Sequence, residues 1–215
     1  MLFGEYMTQS DYWNSVADTV EFTLPLNYGN FSKFINKSDL IVDLGCGYGR
    51  TVNDLYGLGY NRVIGIDTSH EMIRRGKNQF PFLDLRFSQN GICDVKADSV
   101  DAVLLFCVLS ANPFDDEQKM LLGEVDRILK KDGIVYVADS LIAKDLRNAM
   151  RYKKFEDKYN SYGIFENDEG GVFRHYTEEN INSLFSRYEN LFFEKVKSKG
   201  ADGYITNGFY SFYKK

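Results

Sequence analysis

The sequence predicts an α/β fold, a mostly parallel sheet with helices on both faces. Three observations lead there. Short apolar runs alternate with helical patterns from residue 38 to residue 141, the rhythm of parallel strands joined by crossover helices. The run VDAVLLFCVLS, residues 100–110, is almost wholly apolar, as suits a central strand covered on both faces. The first apolar run passes straight into a glycine cluster, DLGCGYG, as a strand does when it feeds a ligand-binding turn.

The elements follow in order. LIVDL (residues 40–44) is the first strand, and residues 50–58 should be helical after the glycines. NRVIGIDTS (61–69) gives the second strand, ending at Asp67, and Ser69 can cap a helix running through EMIRRGKNQ. LDLRFSQ (83–89) alternates and reads as a third strand nearer a sheet edge. Residues 115–131 place Met120, Leu121, Val125, Ile128 and Leu129 on one face, with acids at the start and lysines at the end. That pattern predicts a helix through Lys131, followed by a fifth strand at 132–140. Beyond residue 141 the composition turns charged and aromatic. A helix to about residue 160 and a Gly-rich hairpin or loop at 167–171 are expected there. Thr177 can cap a helix, and NLFFEKVKS and NGFYSFYKK can close the chain as an antiparallel pair.

Bulk composition narrows the function. The 215 residues, 44% of them hydrophobic, suffice for one large core. A formal charge of −5 argues against a nucleic-acid partner. The three cysteines, Cys46, Cys93 and Cys107, form no Cys-x-x-Cys, and with only two histidines no structural metal site is expected. Cys107, inside the apolar run, reads as a buried small hydrophobe. The start of the chain shows no basic leader with an apolar core, and no charge-free apolar stretch reaches eighteen residues. The expectation is a reduced, cytoplasmic protein without a membrane partner, monomeric or homodimeric.

The glycine turn carries the chemistry. A dinucleotide fingerprint needs G-x-G-x-x-G, but here the third glycine arrives one residue early and Arg50 stands in its place. Gly45 and Gly47 let backbone approach a ligand, and Gly49 lets the next helix start close by. Asp43, at the end of the strand, would repel a pyrophosphate and suits an ammonium or sulfonium. Asp67, twenty-two residues after Gly45, can accept two ribose hydroxyls. Together the two acids describe an adenosine attached to an amino acid. A dehydrogenase is the rival these residues oppose.

VDLGCGYG, VIGIDTSHEMI, SVDAVLLFCVLS and LLGEVDRILKKDGIVYVAD together resemble the motifs of class I S-adenosylmethionine-dependent methyltransferases. Lys131-Asp132-Gly133 stands where that family has Pro-Gly-Gly. The resemblance implies a Rossmann-like seven-stranded sheet with an antiparallel last strand. It implies S-adenosylmethionine as cofactor and S-adenosylhomocysteine as product. It assigns Asp43, Gly45, Cys46, Gly47, Gly49 and Asp67 to the cofactor, puts Thr68 and Met72 beside the adenine, and passes Phe106 under the methionine moiety. The family's usual acid after the third strand is missing. Gln89 or Asn90 could accept from the adenine amino group instead, with the backbone near Gly91 donating to the ring.

One domain is expected over residues 1–215, with an N-terminal lid at about 1–30 and a helical cap inserted at about 141–175. Tyr6, Tyr12, Trp13 and Phe22 could fold across the cofactor, and Thr23 could reach its carboxylate. Trp13, Tyr152, Tyr159 and Arg174 are candidate substrate contacts, Arg174 for a carboxylate or phosphate. His175 is the candidate proton acceptor, since an imidazole titrates near neutrality. The expected function is methyl transfer to a small-molecule acceptor. LSANPF, residues 109–114, has Phe where base-amino methyltransferases have a second proline, which opposes nucleic acid as acceptor. Protein or nucleic-acid methylation, and a catalytically inactive adenosylmethionine-binding protein, stay open as alternatives.

Overall fold

The computed structural model describes residues 8–199 and 203–215; Tyr6 therefore lies outside the described residues. The N-terminal helix α1 (Gln9–Val16) starts at a Thr8–Asp11 capping box, and Asn27 caps α2 (Tyr28–Phe34). The alternating part then runs β1 (Ile41–Leu44), α3 (Arg50–Gly57), β2 (Val63–Asp67), α4 (His70–Gln79), β3 (Asp84–Phe87), β4 (Val100–Phe106), α5 (Val108–Ala111), α6 (Asp115–Ile128) and β5 (Leu129–Leu141). After it come α7 (Leu146–Tyr159), the hairpin β6 (Ile164–Glu166) and β7 (Val172–Arg174), α8 (Glu178–Leu184), β8 (Glu189–Lys199) and β9 (Ile205–Lys214). Ser69, Asp145 and Thr177 each accept a backbone N–H at the start of α4, α7 and α8.

The seven-stranded sheet has the order β3-β2-β1-β4-β5-β9-β8. β1 to β5 pair in parallel, and β9 runs antiparallel to both β5 and β8. β3 is an edge, as its alternation predicts, and β4 is central. Side-chain alternation splits the core between two faces. Val42, Val103, Val135 and Phe209 pack with α6 and α8 on one side, while Ile41, Leu104, Tyr136 and Phe212 pack with α2 and α3 on the other. Tyr136 and Phe212 stack at 4.2 Å between centroids. The strand order reverses between β1 and β4, and a crevice opens at that point at the C-terminal strand ends. No helix among the described residues is long and apolar enough to cross a membrane.

Three local expectations change. The helix predicted through Lys131 ends at Ile128, and β5 starts at Leu129, because Leu129 already pairs with Val100 and Lys130 reaches Asp101 at 2.6 Å. The apolar run 100–110 does not stay extended. Cys107 takes a left-handed conformation (φ 54°), and the next residues coil into α5. Cys107 is consequently not a buried core residue: its side chain opens onto the crevice.

Candidate active site

A cavity of about 330 Å³ occupies the crevice, within the usual range for small-molecule sites. Its floor comes from the strand ends. After β1, Gly45 (φ +78°) and Gly47 (φ +56°) bend the backbone through conformations that side chains resist. A Cβ on Gly47 would sit 2.4 Å from the Phe22 ring, and one on Gly45 would sit 2.6 Å from Val108. Gly45 and Cys46 both donate to the Ile66 carbonyl, which fastens the turn to β2.

Three acids stand at the C-terminal ends of β1, β2 and β5, Asp43 and Asp139 buried and Asp67 half-buried. The Asp67 carboxylate accepts from the backbone N–H groups of Gly47 and Ser69, both at 2.7 Å. Asp139, at the end of β5, accepts from Ser110 N–H at 3.0 Å and Ser140 N–H at 2.7 Å. Asp43 differs from both. It is 1% exposed, lines the cavity, and neither carboxylate oxygen has a hydrogen-bond partner. Burial pushes its pKa up to about 7 against the pull of nearby Arg50, and pushes Asp139 up to about 6. Desolvation raises Asp67 as well, opposed by its backbone donors.

The roof comes from two distant parts of the chain. α1 lies across α4: Ser10 Oγ donates to the Thr68 carbonyl at 2.9 Å, and Asn14 accepts from Ser69 Oγ at 2.8 Å. Arg75 on α4, itself buried, donates to the carbonyls of Ala17 and Val20 and pairs with Glu21. It thereby fixes the strand-like stretch that delivers Phe22 to the glycine turn. From the other side, Gln9 Nε2 donates to the Val172 carbonyl, and Asn167 Nδ2 donates to the Tyr12 hydroxyl at 2.8 Å. Tyr12, Trp13 and Phe173 meet edge to face at 5.0–5.9 Å. α7 and the hairpin complete the wall with Arg147, Arg151, Phe165, Phe173 and His175.

His175 is held from behind. The hydroxyl of fully buried Tyr152 lies 2.7 Å from its Nδ1, and the His175 ring packs edge-on against Phe165 at 4.9 Å. The Tyr152 hydroxyl also accepts from Ala143 N–H at 3.4 Å.

The cavity brings together Asp43, Gly45, Cys46, Gly47, Asp67, Thr68, Met72, Phe106, Tyr12, Trp13, Thr23 and His175 from the sequence-derived set. It does not bring in the others. Gly49 caps α3 and faces Leu85, where its Cβ would fall 2.9 Å away. Gln89 and Asn90 are exposed in the turn after β3, because Ser88 bonds back to Asp67 and Ile92 and directs the turn outward. A Cβ on Gly91 would lie 4.0 Å from the Thr68 methyl, and Gly91 stands outside the wall. Tyr152 stands behind His175, and Tyr159 donates to Glu166 at 2.5 Å away from the cavity. Arg174 alternates with Phe173 and His175, so it points to the opposite side and pairs with Asp115 at 2.7 Å.

Asp139, Gln9 and Arg147 line the cavity without having been singled out. Asp139 carried a usable signal, since it ends an apolar strand as Asp43 does. Gln9 and Arg147 carried none, because their approach depends on contacts far apart in sequence.

This sheet order and crevice define a class I methyltransferase. A family model for the methyltransferase domain matches residues 35–196, and the chain belongs to that family: it is an S-adenosylmethionine-dependent methyltransferase. It is 28% identical over 135 residues to a human eEF1A lysine and N-terminal methyltransferase, a match covering 59% of this chain and 19% of the relative. The chain thus spans about a fifth of that relative's length. Among solved structures, a SAM-dependent methyltransferase from Methanosarcina mazei superposes with a TM-score of 0.82 at 23% identity, covering 89% of this chain and 99% of the other. A Burkholderia thailandensis 1,6-didemethyltoxoflavin-N1-methyltransferase, solved with its substrate and S-adenosylhomocysteine, gives 0.63 at 13% identity, over 96% of this chain and 79% of that one.

Proposed function

We propose that the chain methylates a small molecule enclosed in this cavity, with the cofactor on the strand-end floor and the acceptor against the roof formed by α1, α7 and the β6–β7 hairpin. The observation that carries the reading is the pairing of a small roofed cavity with the unpartnered Asp43 carboxylate. A buried carboxylate without donors is costly, and an ammonium brought beside it removes that cost. The amino-acid end of the cofactor supplies such a group, so the residues present fit it. Asp43 would take the ammonium and Asp67 the ribose hydroxyls. Its two oxygens each keep lone pairs beyond the backbone bonds they already accept. Thr68 and Met72 would flank the base, and Thr23 would lie toward the carboxylate.

Bound there, the cofactor supplies an electrophilic methyl group. The chain's own work is placement and dehydration. Phe106, Trp13, Phe165 and Phe173 exclude water and orient a planar acceptor. His175, with Nδ1 engaged by Tyr152, would take a proton from the acceptor through Nε2 where the nucleophile carries one. In this reading residues up to about 30 act as a lid and residues 141–175 as a cap.

A protein acceptor is the second reading, favoured by the name of the human relative. The two separate by incubating the chain with methyl-labelled S-adenosylmethionine and a cell extract divided by ultrafiltration. Label should appear in the low-mass fraction. Label retained only on protein or nucleic acid overturns the small-molecule reading.

A further inference from the structure

Acids predominate at the floor of the cavity wall, where Arg50 is paired with Asp54 and donates to the Leu24 carbonyl. Asp43, Asp67 and Asp139 occupy the strand ends, whereas the cap contributes Arg147 and Arg151. These two arginines sit four residues apart on α7 and so share one helix face. Each guanidinium carbon sits over an aromatic ring. Arg151 Cζ is 3.7 Å from the Phe165 centroid, and Arg147 Cζ is 3.8 Å from that of Tyr204. Stacking fixes the plane of a guanidinium, and its N–H donors point outward within that plane. The wall also carries the aromatic rings of Tyr12, Trp13, Phe106, Phe165 and Phe173, with Ser110, Asn112 and Thr206 among them.

We propose that the acceptor is a planar molecule carrying an oxyanion, carboxylate or phosphate, which Arg147 and Arg151 hold at the cap. This rests on the small-molecule reading above. This distribution of charge gives the acceptor a direction. With the cofactor's ammonium on Asp43 and Arg50 paired with Asp54, Asp67 and Asp139 still disfavour an anion at the floor. Two guanidiniums attract it to the cap, so the uncharged end of the ring system faces the methyl donor. The same field disfavours a cationic acceptor, such as a lysine side chain, which would meet two like charges at the cap. Planar forks suit oxyanions better than single ammonium groups do, through paired N–H donors.

The test uses the full chain saturated with S-adenosylhomocysteine, titrated with benzoate, phenyl phosphate and benzamide by ligand-observed NMR. At least one of the two anions should bind ten-fold or more tightly than benzamide, and the tighter one identifies the oxyanion. R147Q and R151Q should each weaken that binding at least five-fold, with S-adenosylhomocysteine affinity unchanged. Arg147 is exposed, so R147Q remains informative if R151Q folds poorly. Benzamide binding as tightly as both anions, or anion binding indifferent to R147Q, overturns the proposal and leaves the small-molecule reading intact. If no probe enters and methyl label is found only on protein, the proposal and that reading fall together.

Discussion

The floor and the roof of the cavity are built on different principles. The floor is made by backbone: strand ends, a glycine turn and three acids, all within β1 to β5. Asp67 and Asp139 are held by neighbouring N–H groups and Asp43 is not. The roof is made by side chains that meet across long stretches of sequence. Tyr12 and Asn167 bond although they stand 155 positions apart in the chain, and Trp13 packs on Phe173. The floor is mainly acidic; the roof is aromatic, with Arg147 and Arg151 on one helix. A constant methyl donor calls for the first kind of surface, and a particular acceptor calls for the second.

The comparison breaks most visibly at Asp43. In the ligand-free chain its carboxyl has a pKa raised to about 7, while an unfolded aspartate titrates near 4. A raised folded pKa means that stability is fully present below about pH 4 and is lost as pH rises to about 7. The penalty above that is roughly 4 kcal/mol. Asp43→Asn removes the buried charge. It should raise the melting temperature of the ligand-free protein at pH 8 by several degrees, with the gain shrinking toward pH 4. The same variant should bind S-adenosylhomocysteine at least about 100-fold more weakly. A variant that melts lower at pH 8, or binds as wild type does, would remove Asp43 from the floor's function.

A smaller effect is expected in the roof. Tyr152→Phe deletes the hydroxyl beside His175 Nδ1. It should lower kcat about ten-fold and displace the acid limb of the pH–rate profile, with KM for S-adenosylmethionine unchanged. The loss of one buried hydrogen bond should cost about 1 kcal/mol of stability. A stability loss without a change in the pH profile would make Tyr152 purely structural.

The smallest effect is expected at Arg174, which faces away from the cavity and pairs with a largely exposed Asp115. Arg174→Gln should change kcat/KM less than two-fold and stability by under about 1 kcal/mol. A large loss of activity would mean that the cap can turn Arg174 inward.

These regions also differ in how far they could be read from sequence. The floor was legible because its signals are local: an apolar strand, an acid at its end, glycines at fixed offsets. Asp43, Gly45, Gly47 and Asp67 all reach the cavity. Where the local pattern ran out, physical steps that composition does not show decide where the side chains lie. The turn holding Gln89 and Asn90 points outward because Ser88 commits its hydroxyl to Ile92. Arg174 and His175 are adjacent, yet strand alternation sends them to opposite sides, and composition alone cannot fix that phase. Tyr152 and Tyr159 share a helix, but one tyrosine is buried behind His175 and the other caps Glu166 at the surface. The apolar run 100–110 looked uniform, and only the left-handed turn at Cys107 opens it to the cavity.

The most direct test of the division between an acidic floor and a cationic roof is the pH dependence of cofactor binding. S-adenosylhomocysteine affinity should be measured by calorimetry from pH 5.5 to 7.5, in buffers of different ionisation enthalpy. An ammonium seated on Asp43 requires the ionised carboxylate. Affinity should therefore rise toward ten-fold per pH unit below about 7, with proton release on binding. Asp43→Asn should abolish both the slope and the release. Wild-type affinity that stays flat across this range, with no proton released, would contradict the account.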